Sequence, residues 1–291
     1  MPVRDDRSPR RVADRLKRRL RGTEPLQAEV KELRRQVRRL EKRLARLEKD
    51  GRTGSGDRPT DPIRIGPVRT PVDDRIEELV TLVRRRGWTF LKVESLRTLS
   101  ECVREVERAG IPGVLVETGA ARGGSAIVMA ASKDLGRPLK VYDVFDTIPA
   151  PSERDGADVH ERYEVIASGK AQGRGGETYY GYRDDLLGEV TASFTECGLP
   201  LEENHVELIK GLFEDTIDLD EPVALAHLDG DWYDSTMTCL ERITPLLSPG
   251  GRLVIDDYDA YSGCRDAIRD YFGRHRGYRF ERRGKLHVVK P

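Results

Sequence analysis

The sequence predicts an α/β fold, a doubly wound and mostly parallel sheet, preceded by a coiled-coil helix. Three observations carry that prediction. Short apolar runs alternate with helix-length segments through residues 73–291, the pattern of a βαβ chain. Two of the runs, Ala226-His227-Leu228 and Leu253-Val254-Ile255, lead straight into acidic clusters, Asp229-Gly230-Asp231 and Asp256-Asp257. An earlier run is followed by a glycine-rich turn, Glu117-Thr118-Gly119-Ala120-Ala121-Arg122-Gly123-Gly124-Ser125. In an open α/β sheet the C-terminal strand ends line the ligand crevice, so turn and acids are expected at one site.

The net charge of zero averages two opposed parts. Residues 1–50 hold 18 Lys+Arg against 9 Asp+Glu, a net of +9, and residues 51–291 hold 33 against 42, a net of −9. In the basic arm, Leu26, Val30, Leu33, Val37, Leu40, Leu44 and Leu47 alternate spacings of four and three. This heptad seam at about 26–49 places Val30, Val37 and Leu44 at a, and the remaining leucines at d. Valine at a with leucine at d favours two parallel strands, so a homodimer is expected. Glu29 can face Arg34 of a partner, and Arg43 can face Glu48. Acids interrupt the basic residues and no aromatics are interleaved for base stacking, which argues against a nucleic-acid arm. A solvated basic helix with a leucine stripe is the alternative. Residues 51–72, opening Gly51-Arg52-Thr53-Gly54-Ser55-Gly56 and then rich in proline, read as a flexible linker.

Asp73 or Asp74 is expected to cap a helix running to about Arg85, and a second helix to cover about Ser95 to Glu107. Leu115–Glu117 is the first strand, Ser125–Lys133 the next helix and Leu139–Asp143 the second strand. Residues 147–183 are polar, glycine-rich and tyrosine-rich and read as an irregular insertion or lid, centred on about 150–183. Asp184–Glu196 is helical. Val206–Ile209, Val223–Leu228 and Leu253–Ile255 are the third to fifth strands. Ser235–Leu247 is a helix stopped by Pro249-Gly250-Gly251, and Cys264–Phe272 is another. Tyr278–Glu281 and His287–Val289 flank Gly284 as a terminal hairpin.

Gly119, Gly123 and Gly124 let the backbone approach a ligand, and the helix starting near Ser125 aims N–H groups at an anionic group. That group is a pyrophosphate in a dinucleotide and the amino-acid carboxylate in S-adenosylmethionine. Glu117 would repel the first and could hold the ammonium of the second. Asp143, at the end of the next strand, stands where an acid commonly accepts hydrogen bonds from a ribose, or else is a turn residue. Gly211 and Phe213 follow the third strand. Phe213 either covers an adenine ring or belongs to the core.

Asp229, Asp256 and Asp257 come from neighbouring strand ends and could meet on one cation. Converging carboxylates resist ionising together, and a hard divalent ion removes that cost. All-oxygen ligation favours Mg²⁺, or Ca²⁺ or Mn²⁺, over zinc. His227 is expected to pack or to orient a neighbour, and Asp234 to cap a helix. Cys102, Cys197, Cys239 and Cys264 are too widely spaced for a disulfide framework or a zinc motif, which fits reduced thiols in a cytoplasmic protein. No apolar stretch approaches the roughly 20 residues that span a bilayer. The arginine-rich start lacks the apolar core of a secretory signal.

Several segments together carry a resemblance. They are Ala109-Gly110-Ile111-Pro112-Gly113 leading into Val116-Glu117-Thr118-Gly119, Arg122-Gly123-Gly124-Ser125, Asp143-Val144-Phe145-Asp146-Thr147-Ile148-Pro149 and Gly211-Leu212-Phe213-Glu214-Asp215-Thr216. His227-Leu228-Asp229-Gly230-Asp231-Trp232-Tyr233-Asp234-Ser235-Thr236, Leu247-Ser248-Pro249-Gly250-Gly251, Ile255-Asp256-Asp257-Tyr258 and Gly263-Cys264 complete the set. From about Leu96 to Phe272 the chain resembles the macrocin O-methyltransferases of the TylF/MycF type. These are metal-dependent enzymes that use S-adenosylmethionine to methylate sugar hydroxyls on natural products. The resemblance implies a class I methyltransferase sheet, Rossmann-like and seven-stranded, with a reversed last strand. It implies cofactor contacts at Thr118, Gly119, Ser125 and Asp143, and Mg²⁺ ligation by Asp229, Asp256 and Asp257. Asp229, or alternatively Asp231, would accept the proton of the acceptor hydroxyl. The stretch from Ala150 to Arg183 and the coiled coil depart from the family pattern, so acceptor contacts do not transfer. The tyrosines Tyr163, Tyr179, Tyr180 and Tyr182 there either cover an acceptor sugar or lie on a loop surface. Two other readings stay open: a glycosyltransferase using Asp229-Gly230-Asp231 as its D-x-D metal motif, and a coiled-coil scaffold that binds cofactor without catalysis.

Overall fold

The computed structural model describes residues 71–291. The expected heptads and nearly all of the expected linker lie outside the described residues. The first helix, α1 (Pro71–Arg85), starts on a proline, whose fixed φ suits a first helical position. Asp73 and Asp74 therefore sit in its first turn, not at a cap, where their charges complement the helix dipole. Then come α2 (Val93–Arg108), β1 (Val114–Thr118), α3 (Gly124–Ser132), β2 (Leu139–Asp143), α4 (Ala157–Ala167), α5 (Leu186–Glu196) and β3 (Val206–Lys210). The short α6 (Phe213–Thr216), β4 (Val223–Leu228), α7 (Tyr233–Ile243), β5 (Leu247–Ile255), α8 (Ser262–Arg274), β6 (Arg279–Arg283) and β7 (Lys285–Val289) complete the chain.

The strands form one seven-stranded sheet in the order β3-β2-β1-β4-β5-β7-β6. The first five are mutually parallel, and β7 runs antiparallel to β5 and β6. β1 and β4 are buried along their whole length, as expected of parallel strands covered on both faces. Alternate residues feed two cores. Leu115, Leu139 and Leu225 pack with α1, α2, α3 and α5, whereas Val116, Ala226 and Ile255 pack with α7 and α8. β5 starts at Leu247, well before the expected Leu253. Its register with β4 shifts between Val223 and Leu225, which absorbs Pro249-Gly250-Gly251 within the strand.

The segment expected to be irregular contains α4. Only Val159 and Ile166 of that helix are buried, too few apolar positions for a periodic signal. Tyr179, tilted against the ring of Tyr180 and edge-on to that of Tyr182, packs with Ile166 in a small separate core. Polar ties fasten the segment elsewhere. Asp155 accepts the backbone N–H of Tyr233 at 2.8 Å, Trp232 Nε1 donates to Pro149 O at 2.9 Å, and Ser262 N donates to Asp158 at 2.8 Å.

His287 on β7 is fully buried, facing Arg252 Nη1 at 3.3 Å and Cys102 Sγ at 3.7 Å. Burial, with Arg252 and Arg283 adding to it, pushes the imidazole down to about 4. The unfolded chain, with a histidine pKa near 6.5, then binds more protons than the folded one between these values. Stability held above about pH 6.5 is lost as pH falls toward 4. The urea midpoint of the wild type should fall more steeply from pH 6.5 to 5 than that of His287→Leu. Equal slopes would contradict the buried neutral imidazole.

Candidate active site

The C-terminal edge of the sheet is laced by main-chain bonds between neighbouring strand ends. Gly119 N donates to Tyr142 O, Asp229 N to Thr118 O, Asp256 N to Leu228 O and Gly211 N to Asp143 O, at 2.8 to 3.0 Å. These bonds fix where each tip residue starts. Gly119 is left-handed, with φ +84°, and a Cβ there would overlap the carbonyl oxygen of Asp229. Its bare Cα is what lets the β1 and β4 tips close up.

Two adjoining cavities open along this edge. Gly119, Asp143, Val144, Ile148, Gly211, Phe213, Asp229 and Asp231 line the first. The second shares Gly119, Asp143, Asp229 and Asp231, and adds Arg162, Tyr179, Trp232, Asp256, Asp257 and Tyr261. Of the residues expected at a cofactor site, Gly119, Asp143, Gly211 and Phe213 therefore face the first cavity.

Glu117, Thr118, Gly123 and Ser125 line neither cavity. Glu117 is fully buried beneath the edge, where Oε1 lies 2.9 Å from His227 Nδ1. Thr118 and Ser125 are buried as well. Gly123, at φ +80°, serves packing, because a Cβ would press on Val190 Cγ1 at 2.8 Å. The amides of the glycine turn are partly taken. Ala121 N donates to Asp143 Oδ2 at 2.9 Å, and Gly124 N donates to Trp88 O at 3.0 Å. Asp143 Oδ1 accepts from Phe145 N at 2.6 Å. Burial outweighs these bonds and pushes the Asp143 carboxyl up to about 6.

Asp229, Asp231 and Asp257 converge, one oxygen of each lying within 4.8 Å of the others. Burial first, then the charges of Asp257 and Asp256, lifts Asp229 and Asp231 well above the ordinary carboxylate range. Asp257 is also raised, mainly by burial. Asp256 lies beside this trio with different partners. Its Oδ2 is 2.8 Å from Lys285 Nζ, and its Oδ1 is 3.7 Å from His227 Nε2. Burial opposes its charge, but His227 and Lys285 outweigh burial and hold it below the usual range. His227 shows the converse. Burial disfavours its charge, yet Asp256 and Glu117 raise it to about 9. His227 is thus packed between Glu117 and Asp256 beneath the strand tips.

The donor set suits a hard cation. It is all carboxylate, and the buried oxygens Asp256 Oδ1 and Asp257 Oδ2 have no hydrogen-bond partner among the described residues. Sequence reasoning did not single out Lys285, Arg162, Trp232 or Tyr261. Lys285 enters through antiparallel pairing, and Arg162 enters from a helix with almost no periodicity, so spacing alone carried no signal for either.

Sheet order, reversed last strand and acid-edged crevice define a class I methyltransferase. Residues 69–277 match the family described as Macrocin-O-methyltransferase (TylF). A Streptomyces olivaceus protein, 8-demethyl-8-(2,3-dimethoxy-alpha-L-rhamnosyl)-tetracenomycin-C 4'-O-methyltransferase, is 35% identical over 73% of this chain and 80% of its own length. Mycinamicin III 3''-O-methyltransferase of Micromonospora griseorubida is 31% identical over 64% of this chain and 71% of its own. The solved structure of the O-methyltransferase NovP is 25% identical, with a TM-score of 0.62 covering 75% of this chain and 97% of that one. The chain belongs to the macrocin O-methyltransferase (TylF) family and is an O-methyltransferase. That membership displaces the glycosyltransferase reading of Asp229-Gly230-Asp231.

Gly119→Ala should cost far more than Gly110→Ala. Both glycines are left-handed, but nothing lies within 4 Å of a Cβ at Gly110. Gly110→Ala should lose about 1–2 kcal/mol from backbone strain alone. Gly119→Ala should additionally displace Asp229 and abolish methyl transfer. Thermal melts and activity assays of the two variants check this, and similar losses would contradict it.

Proposed function

We propose that the chain moves a methyl group from S-adenosylmethionine to a sugar hydroxyl, on a glycosylated natural product or related glycoside, with help from a divalent cation such as Mg²⁺. The observation that carries the reading is the convergence of Asp229, Asp231 and Asp257 beside the cavity behind Gly119. The names of the relatives support the acceptor class, one of them specifying a rhamnosyl group.

S-adenosylmethionine supplies an electrophilic methyl on a sulfonium. The first cavity would hold it, with Asp143 placed for ribose hydroxyls and Phe213 for the adenine face. Asp229 and Asp257, with Asp256 beside them, would hold the cation, which supplies Lewis acidity that makes an acceptor hydroxyl more acidic. Asp231 lines both cavities, in a left-handed backbone with φ +54°, and in this reading would accept the hydroxyl proton, Asp229 being the other candidate. Strain of this kind is often kept at functional positions. Trp232, Tyr179 and Tyr261 wall the second cavity and would exclude water around an acceptor sugar. The main contribution of the protein is to align oxygen, methyl and sulfur.

Three assays test the site together. EDTA should remove activity and Mg²⁺ or Mn²⁺ should restore it. Asp257→Ala should lose Mn²⁺ binding as well as turnover. Asp231→Asn should keep Mn²⁺ binding while turnover drops about 100-fold or more, the scale of a lost general base. Full activity in EDTA would refute the cation role.

The heptads at 26–49 favour a homodimer. The full chain should sediment as a dimer and a version lacking residues 1–50 as a monomer. A dimer of the shortened chain would point to pairing elsewhere. All four cysteines are free, which fits a reducing cytoplasm. Among the described residues, no helix is long and apolar enough to cross a membrane.

A further inference from the structure

A line of ionisable side chains runs under the crevice: Glu117, His227, Asp256, Lys285. The sheet register builds it. β1 pairs Glu117 with His227, and β4 pairs His227 with Val254 and Leu228 with Ile255, so Asp256 stands two steps beyond His227, on the same side of the sheet. β7 runs the other way and pairs Leu286 with Ile255. Its first residue, Lys285, thereby arrives at the same edge as the acids, although it begins its strand and they follow theirs. A parallel last strand would have brought its other end here.

Lys285 Nζ makes two contacts with one residue. It lies 2.8 Å from Asp256 Oδ2 and donates to Asp256 O at 2.9 Å. It thus clasps both the carboxylate and the main chain at the turn that presents Asp257 to Asp229. Lys285 belongs to no other ion pair among the described residues. Asp256 thus meets Lys285 on one oxygen and His227 on the other, and of the two Lys285 is the one that also ties the main chain of the turn.

The geometry points to Lys285 as an internal counter-cation of the acid crevice, a positioning residue that holds the Asp256–Asp257 turn when no divalent ion is bound and weakens the crevice's hold on such an ion. The inference rests on the divalent-cation reading given above. Two consequences separate it from a merely structural role. Loss of the charge leaves the acids facing one another, so the cation-free protein becomes less stable. The same loss removes a repulsion between Lys285 and an incoming ion, so ion binding becomes tighter. One positive charge near a divalent ion in a wet crevice is enough for roughly a tenfold change in affinity. A residue needed only for packing would lower stability without improving binding.

The test compares wild type, Lys285→Met and Lys285→Arg, each as the full chain, by Mn²⁺ titration calorimetry and by thermal melting with and without Mn²⁺. Lys285→Met should melt several degrees lower without metal, bind Mn²⁺ about tenfold tighter and gain more from added Mn²⁺ than wild type. Lys285→Arg should restore both values toward wild type. Tightening in Lys285→Met, with unchanged circular dichroism, supports the counter-cation. Equal or weaker Mn²⁺ binding by Lys285→Met, beside normal binding by wild type, overturns it while leaving the divalent-cation reading standing. No Mn²⁺ binding by wild type itself overturns that reading and this inference with it.

Discussion

Asp229, Asp231 and Asp257 hold oxygens within 4.8 Å of one another at strand tips that cannot separate, because main-chain bonds stitch each tip to its neighbour. Their repulsion must be met by protons or by cations, and the rest of the site follows from that constraint. Without a cation, burial and then that repulsion lift Asp229 and Asp231 well above the usual carboxylate range, so protons are retained. Where a positive group is within reach the balance reverses, and Asp256, between His227 and Lys285, stays ionised. Neighbours in sequence thus carry opposite protonation tendencies.

Much of the fold was legible because fully buried parallel strands read as unbroken apolar runs. Val223–Leu228 has the same limits in sequence and in structure. β5 was harder. Its first half contains Pro249, Gly250 and Gly251, residues that ordinarily end a strand, and only the register shift against β4 shows how they fit. α4 escaped detection because two apolar anchors do not make a stripe.

The site was partly legible for the same reason. Carboxylates directly after apolar runs must lie at strand ends, and strand ends in such sheets make the crevice. Which of Asp256 and Asp257 turns toward Asp229 was not legible, since adjacent side chains leave the chain in different directions. Glu117 illustrates a second limit. Its place in a glycine turn suggested a ligand contact, whereas its side chain points under the sheet edge to His227. Lys285 needed knowledge of antiparallel pairing between segments some thirty positions apart.

The crevice and the wall facing it have separate origins in the chain. Sheet tips supply the acids, while α4 and the tyrosines that follow it supply much of the opposite wall, resting on a small core of their own. On the proposed reading, mutations in that wall would change which acceptor is taken while the acids keep their places at the strand tips. A lineage can therefore shift to new acceptors while inheriting the chemistry intact, and transplanting the wall between relatives is a way to retrace such shifts.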